Sequence, residues 1–451
     1  MWTGCVPSKA LISSARLAAG MRKAAEFGLE AVDPAPDGRA VLESVRAVRA
    51  RIEPHDDPER FRAMGVEVVE GAASFVSPHE IEVAGQRLRS RKFVIATGSR
   101  AAIPPIQGLR EAGFYTHETA FDRDTIPASV IIIGAGAIGI EFAQAYRRLN
   151  VDVTVVELLD EILVKEDPEL VARLREILAR EGVRILTSHK VVSVDRGREA
   201  DGGASGSGAS GSGQTVTAHV EGPEGSRTLE ADELLVATGR LPNVESLGLE
   251  RAGVEVGRQG VIVDERMRTS RKHIFAAGDV TGGFLFTHVA DHEARTVVRN
   301  ALFPFPGRIS YKAIPWCTFT DPELAHVGLT EPEARERSGD GVAAYTYDLA
   351  DLDRAIAERA ATGLVKLVTD RKGRLLGGHI LAPSAGTMIM EVALAIRHGV
   401  KIGQLSSLVH PYPTMSEGVR RAADAYMRTK LNDRTRGWLD RYFRLARRLR
   451  I

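Results

Sequence analysis

A chain of 451 residues, 44% hydrophobic and 26% charged, has the length for about three domains of ordinary size and the apolar content to fill their cores. Its net charge of +1 gives no global reason to expect nucleic acid or an acidic substrate. The only two cysteines, Cys5 and Cys317, exclude a disulfide framework or a multi-cysteine metal site and fit a reducing cytoplasm. No apolar run approaches the roughly 20 residues that span a bilayer.

The first 25 residues lack acids and carry Lys9, Arg16, Arg22 and Lys23, as a transit peptide would. The segment Gly4-Cys5-Val6-Pro7-Ser8-Lys9 makes better sense as the start of a working helix, with Lys9 one turn beyond Cys5. Next comes Phe93-Val94-Ile95-Ala96-Thr97-Gly98-Ser99, a buried strand ending in Ala-Thr-Gly. It has a near-repeat in Leu234-Leu235-Val236-Ala237-Thr238-Gly239-Arg240, and a third strand, His273 to Ala277, closes with Gly278-Asp279. Glycine or another small residue at a strand end lets backbone approach a ligand closely.

The clearest unit lies between these. Val130 to Ile133 is a β-branched run suited to a parallel strand buried on both faces. It feeds Gly134-Ala135-Gly136-Ala137-Ile138-Gly139, a helical pattern from Ile140 to Leu149, and a second strand from Val151 to Val156 that ends at Glu157. Strand, spaced glycines, helix, strand and acid together form a dinucleotide-binding fingerprint, in which the helix N-terminus receives the pyrophosphate. Glu157, 18 residues after Gly139, is placed to bind ribose hydroxyls and favours NADH over NADPH, because a 2′-phosphate would meet its charge.

Two biased segments follow. Gly202 to Gly213 is a Gly/Ser tract with alanines, read as a loop between two strands. Residues 428–451 carry nine basic residues against Asp433 and Asp440, and Trp438, Tyr442, Leu445 and Leu449 recur on one helical face. Packing of this helix on its own protein or a dimer partner is expected; an anionic membrane surface is the alternative.

The segments CVPSK, ATGS, GAGAIGIE, ATGRLPN, AAGDVTGG and HPYPTMSE together resemble the class I pyridine nucleotide-disulfide oxidoreductases, which include dihydrolipoamide dehydrogenase, glutathione reductase and mercuric reductase. The resemblance runs from residue 1 to about 427. It implies an α/β fold with two Rossmann-like dinucleotide-binding domains, the first incomplete, and a C-terminal α+β dimerisation domain. The implied division is an FAD-binding domain at 1–124 and 246–306, an NAD(P)-binding domain at 125–245, a dimerisation domain at 307–427 and a basic tail at 428–451. It also implies a cytoplasmic homodimer that takes electrons from NAD(P)H through FAD and a cysteine pair to a small-molecule acceptor.

Residue by residue, the resemblance makes Cys5 the thiol nearer the flavin, Lys9 the lysine that approaches flavin N5 and Glu141 the acid that pairs with it. Asp279 would bind the ribityl chain of FAD, and Leu285 to Ala290, including Thr287 and His288, would run along the flavin. Gly71, Thr97, Gly98, Ser99, Gly239 and Gly278 join the implied nucleotide-binding residues, beside Gly134, Gly136, Gly139 and Glu157.

In His410-Pro411-Tyr412-Pro413-Thr414-Met415-Ser416-Glu417, Tyr412 stands where the family usually carries its acid–base histidine, while Glu417 keeps the place of its acidic partner. A phenol with an ordinary pKa of about 10 is a poor proton shuttle at neutral pH. Mercuric reductases carry tyrosine there, so the chain is similar to that branch. It lacks that branch's C-terminal cysteine pair, since no cysteine follows Cys317. His410 is a second acid–base candidate, with a structural role as the competing reading. Cys317 reads as a small buried hydrophobe.

The family's FAD domain opens with its own βαβ unit and a first active-site cysteine five residues before the Cys5 position. Neither lies within this sequence. The expectation is that Met1 is an internal methionine or a misplaced start and that the full product is complete. The alternative is a non-catalytic remnant that binds NAD and dimerises without FAD.

Overall fold

The structure, a computed structural model, describes residues 2–197 and 215–449. The Gly/Ser tract at 202–213 lies outside the described residues. The chain forms two compact units: residues 1–162 with 179–311, and residues 163–178 with 312–451.

The first unit is centred on a five-stranded parallel sheet in the order Tyr115–Thr116, Glu233–Val236, Ser129–Ile133, Asp152–Val156, Arg184–Leu186. Its central strands are nearly continuous runs of valine, isoleucine and leucine because both faces are covered; Ile131, Ile132, Val153, Val155, Leu234 and Leu235 are all at most 1% exposed. The fingerprint helix spans Ala137–Arg148 and so starts three residues before the apolar pattern predicts. Gly136 is its N-cap in extended backbone, and the small residues Ala137 and Gly139 form a first turn that hydrophobic periodicity does not mark.

A three-stranded antiparallel sheet, Lys190–Arg196, Val216–Gly222 and Gly225–Ala231, packs Val191, Val194, Val216, Ala218 and Val220 into one core with Ile131 and Leu234. The remainder of this unit holds the helix Cys5–Arg22, a meander over 74–89, and a short parallel pair, Phe93–Ile95 with Ile274–Ala276.

The second unit is an antiparallel five-stranded sheet ordered Pro315–Thr318, Glu323–Gly328, Leu375–Ala382, Leu364–Thr369, Ala343–Asp348. Helices Ala385–His398 and Glu417–Thr429 bury Met388, Ile389, Val392, Val419 and Ala422 in the core that also holds Val365, Leu367 and Ile380. Cys317 is half-buried in its edge strand rather than fully enclosed. The final helix, Asp433–Leu449, exposes Trp438, Tyr442, Phe443 and Leu445 instead of packing them on this unit.

Segment 163–178 supplies the second unit with charges for a buried polar cluster. Lys366 Nζ lies 3.1 Å from Asp167 Oδ1, 3.1 Å from Glu169 Oε2 and 2.8 Å from Glu331 Oε2, with its side chain only 6% exposed. Burial alone would lower the Lys366 pKa, but hydrogen bonds and attraction from these three carboxylates raise it. Beside it, Trp316 Nε1 donates to Glu166 Oε1 at 2.6 Å, and Glu166 Oε2 lies 3.4 Å from His326 Nδ1. The Trp316 and His326 rings stack at 3.8 Å.

Removing one member of a buried ion pair leaves its partners charged and unpaired, at a cost of about 3–5 kcal/mol. Lys366→Ala is therefore expected to lower the unfolding free energy by about 3 kcal/mol or more. Urea titration followed by tryptophan fluorescence checks this, and a loss below about 1 kcal/mol, the range of an exposed pair, contradicts it.

Candidate active site

Cys5 opens the helix Cys5–Arg22 behind Gly4, which offers no side-chain cap. The first-turn N–H groups therefore present an electropositive end at the thiol. Cys5 is exposed, with Sγ 3.6 Å from the Thr287 hydroxyl at the start of helix Thr287–Leu302. One turn on, Lys9 Nζ donates to Glu141 Oε2 at 2.9 Å. The Glu141 side chain is 8% exposed and that of Lys9 is 35% exposed, so the carboxylate is buried against its partner rather than solvated.

In the fingerprint loop the glycines play separate physical parts. Gly134 has φ +104°, and a Cβ there would lie 2.6 Å from the Ala237 carbonyl oxygen. A Cβ at Gly139 would lie 2.0 Å from the Gly134 oxygen, so this glycine closes the helix onto the strand. A Cβ at Gly136 would meet nothing within 4 Å. That open side, next to the helix N-terminus, fits the approach of a dinucleotide phosphate. The Glu157 carboxylate accepts from the Ala135 N–H at 2.6 Å and the Leu159 N–H at 2.9 Å, which fixes it at the sheet's C-terminal edge.

The two Ala-Thr-Gly strand ends are joined through a short antiparallel ribbon, Ser99–Ala101 with Arg240–Pro242. The Thr97 hydroxyl donates to the Asn243 carbonyl at 2.7 Å, and the Asn243 amide donates to the Thr97 carbonyl at 2.9 Å. Gly98 and Gly239, at φ +68° and +129°, face open space where a side chain would project. Asp279 Oδ2 accepts from the Ser99 hydroxyl at 2.7 Å and pairs with Arg240 at 2.8 Å. The Gly278 N–H donates to Glu293 Oε2 at 2.6 Å, and Tyr311 donates to Glu293 Oε1 at 2.6 Å. Burial raises the Glu293 pKa, and the Tyr311 and Gly278 hydrogen bonds oppose that rise. Leu285 and Ala290 are half-buried, Thr287 and His288 are exposed, and His288 stacks on Phe286 at 5.3 Å. Gly71 stands beside Val83 and Ala84 of the meander.

In the second unit, His410, Tyr412 and Glu417 line one cavity with Arg420 and Arg421. The His410 side chain is 6% exposed and lies between Glu391 Oε2 at 3.1 Å and the Leu408 carbonyl at 3.2 Å. Tyr412 is 70% exposed, and its hydroxyl donates to Asp353 Oδ2 at 3.0 Å, which raises its pKa further above the neutral range. Glu417 is buried at the start of helix Glu417–Thr429 and pairs with Arg420 at 2.9 Å.

Arg240, Asn243, Glu293, Tyr311 and Asp353 hold these groups in place and were not singled out by sequence reasoning. Arg240 and Asn243 sit inside the ATGRLPN segment, so their motif context was an available signal. Glu293, Tyr311 and Asp353 lie in no such motif.

This is the architecture of a flavoprotein disulfide reductase. The family model for pyridine nucleotide-disulphide oxidoreductase matches residues 1–294, and the model for that family's dimerisation domain matches residues 314–423. The chain is 35% identical over 431 residues to a mercuric reductase of Streptomyces lividans, covering 94% of this chain and 87% of that one. A dihydrolipoyl dehydrogenase of Thermus scotoductus is also 35% identical, over 94% of this chain and 88% of its own. Among solved structures, LpdA from Mycobacterium tuberculosis superposes with TM-score 0.80 at 28% identity, over 93% of this chain and 89% of that one. The HOCl-induced flavoprotein disulfide reductase RclA from Escherichia coli gives 0.79 at 27% identity, with the same two coverages. The chain belongs to the pyridine nucleotide-disulphide oxidoreductases, as a mercuric-reductase-like, NAD(P)H-dependent flavin disulfide oxidoreductase with the dimerisation domain of a homodimer.

Groups in direct contact couple energetically, by about 0.5–3 kcal/mol in a double-mutant cycle. For Lys9→Met and Glu141→Gln the expected coupling is about 1–3 kcal/mol in urea unfolding. Additive effects would show that the pair is not formed in solution.

Proposed function

We propose an electron path from NADH, through FAD and a cysteine pair of which Cys5 is one half, to a disulfide-type or metal acceptor. When bound, FAD supplies two-electron exchange between a nicotinamide and a thiol pair. Lys9 would orient bound flavin through its ammonium, which Glu141 keeps in place. The observation that carries the reading is the Lys9–Glu141 pair, formed one turn beyond an exposed cysteine at a helix N-terminus.

The glycine turn at 134–139 receives the NADH pyrophosphate, with Gly136 on the open side and Glu157 at the ribose. Gly98, Gly239, Gly278 and Asp279 would line the FAD side, where Asp279, oriented by Ser99 and Arg240, would bind the ribityl hydroxyls. Gly71 and the Leu285 to Ala290 segment complete that side. In the second unit Glu417 and Tyr412 form the end that meets the acceptor. Tyr412 remains a neutral phenol through the physiological range, so it donates a hydrogen bond rather than shuttling a proton as histidine would.

The deciding experiment is to purify the protein and record its flavin absorption band, then to compare Cys5→Ser with the parent. Reduction of a disulfide acceptor should be lost in Cys5→Ser while dye reduction by NADH survives. Absence of the flavin band, or unchanged disulfide reduction in Cys5→Ser, overturns the reading. The cofactor preference is a separate test. NADH should exceed NADPH in kcat/KM by at least about tenfold, roughly 1.4 kcal/mol, and Glu157→Gln should narrow the gap. A preference for NADPH removes the role given to Glu157.

A further inference from the structure

We propose that the helix Asp433–Leu449 is a surface anchor that lies in the headgroup layer of an anionic phospholipid membrane. At about 100° per residue, its charged side chains all fall in one arc of about 160° and its large apolar side chains in the opposite arc. The charged arc holds six arginines against Asp433 and Asp440, a net of +4 in a chain whose total is +1. Within the apolar arc, Trp438, Tyr442, Phe443 and Leu445 are 63%, 51%, 53% and 57% exposed. Their own unit therefore leaves that face uncovered.

Two features favour a membrane over a protein as the cover. The apolar arc spans about 160°, wider than the roughly 100° minimum of a core-packing stripe, and it is rich in aromatic rings, the shape that fits a planar interface. Arginines also border the apolar arc on both sides: Arg434 stands next to Leu445 around the helix, and Arg436 next to Phe443. With the rings inserted, these guanidinium groups reach the phosphate level. No helix among the described residues is long and apolar enough to cross a membrane, so this element lies along the surface. The competing partner is a second copy of the chain, whose residues 1–427 carry a net charge of −6.

The test is co-sedimentation of the full chain with phosphatidylcholine–phosphatidylglycerol vesicles and with pure phosphatidylcholine vesicles. Binding should be at least about tenfold stronger to the anionic vesicles and should weaken at high salt. Trp438→Ala with Phe443→Ala, and separately Arg434→Gln with Arg436→Gln, should each reduce it about tenfold while the sedimentation coefficient in free solution stays that of the parent. The exposed positions of these side chains should leave the circular dichroism spectrum of both variants close to the parent's. Equal binding to both vesicle types, no loss in the variants, or a fall in oligomeric state in either variant overturns the proposal; the last would assign the face to a second copy.

Discussion

A carboxylate taken out of water must find a positive partner or give up its charge. Glu141 sits on the helix that follows the dinucleotide fingerprint, and its partner, Lys9, comes from the chain's first helix, 132 residues earlier. One ion pair thus ties the cysteine-bearing segment to the five-stranded parallel sheet through the helix that follows its central strand. Helix Cys5–Arg22 packs against the fingerprint helix along this line, with Leu11, Ala15 and Ala18 buried. Tethering the helix at both its charge and its apolar face sets where Cys5 stands.

A similar economy governs the strand ends. Glycines at 98, 134, 239 and 278 give the backbone conformations that side-chain-bearing residues avoid, and such turns lose rigidity unless something else holds them. Here the holding is done by side chains that bond backbone: Thr97 with Asn243, Thr238 with Ala102, Glu293 with Gly278, and Glu157 with Ala135. The surfaces where a ligand's phosphates and hydroxyls would lie are left to bare backbone, while polar side chains brace them from behind.

Local signals made much of this legible. The Val130 to Ile133 run, the glycine spacing and Glu157 sit within 28 residues, so short-range rules suffice to read strand, turn, helix and strand. The Lys9–Glu141 contact was legible only through family resemblance, since no period or spacing relates residues so far apart. Partners reached by folding alone were not legible: Arg240 on Asp279, Asp353 on Tyr412, and Glu166 on Trp316. Cys317 shows the limit from the other side. Its residue type suggests full burial, but its place in an edge strand leaves it half-exposed. The last helix was expected to pack on its own protein or a dimer partner because apolar faces usually do; within one chain its large apolar side chains remain exposed.

The provenance of the charges around Lys366 bears on how such a protein can be rebuilt. The dimerisation family matches a continuous stretch, 314–423, and looks like a cassette that recombination could exchange. Yet Asp167 and Glu169, two of the three carboxylates around Lys366, and Glu166, the acceptor of the Trp316 indole N–H, come from 163–178, inside the stretch 1–294 matched by the other family model. A chimaera cut at the apparent domain border would import a lysine with Glu331 but without the other two of its three counter-ions. The unit of inheritance is therefore the C-terminal domain together with a short, distant helix, and workable breakpoints must keep the two in register.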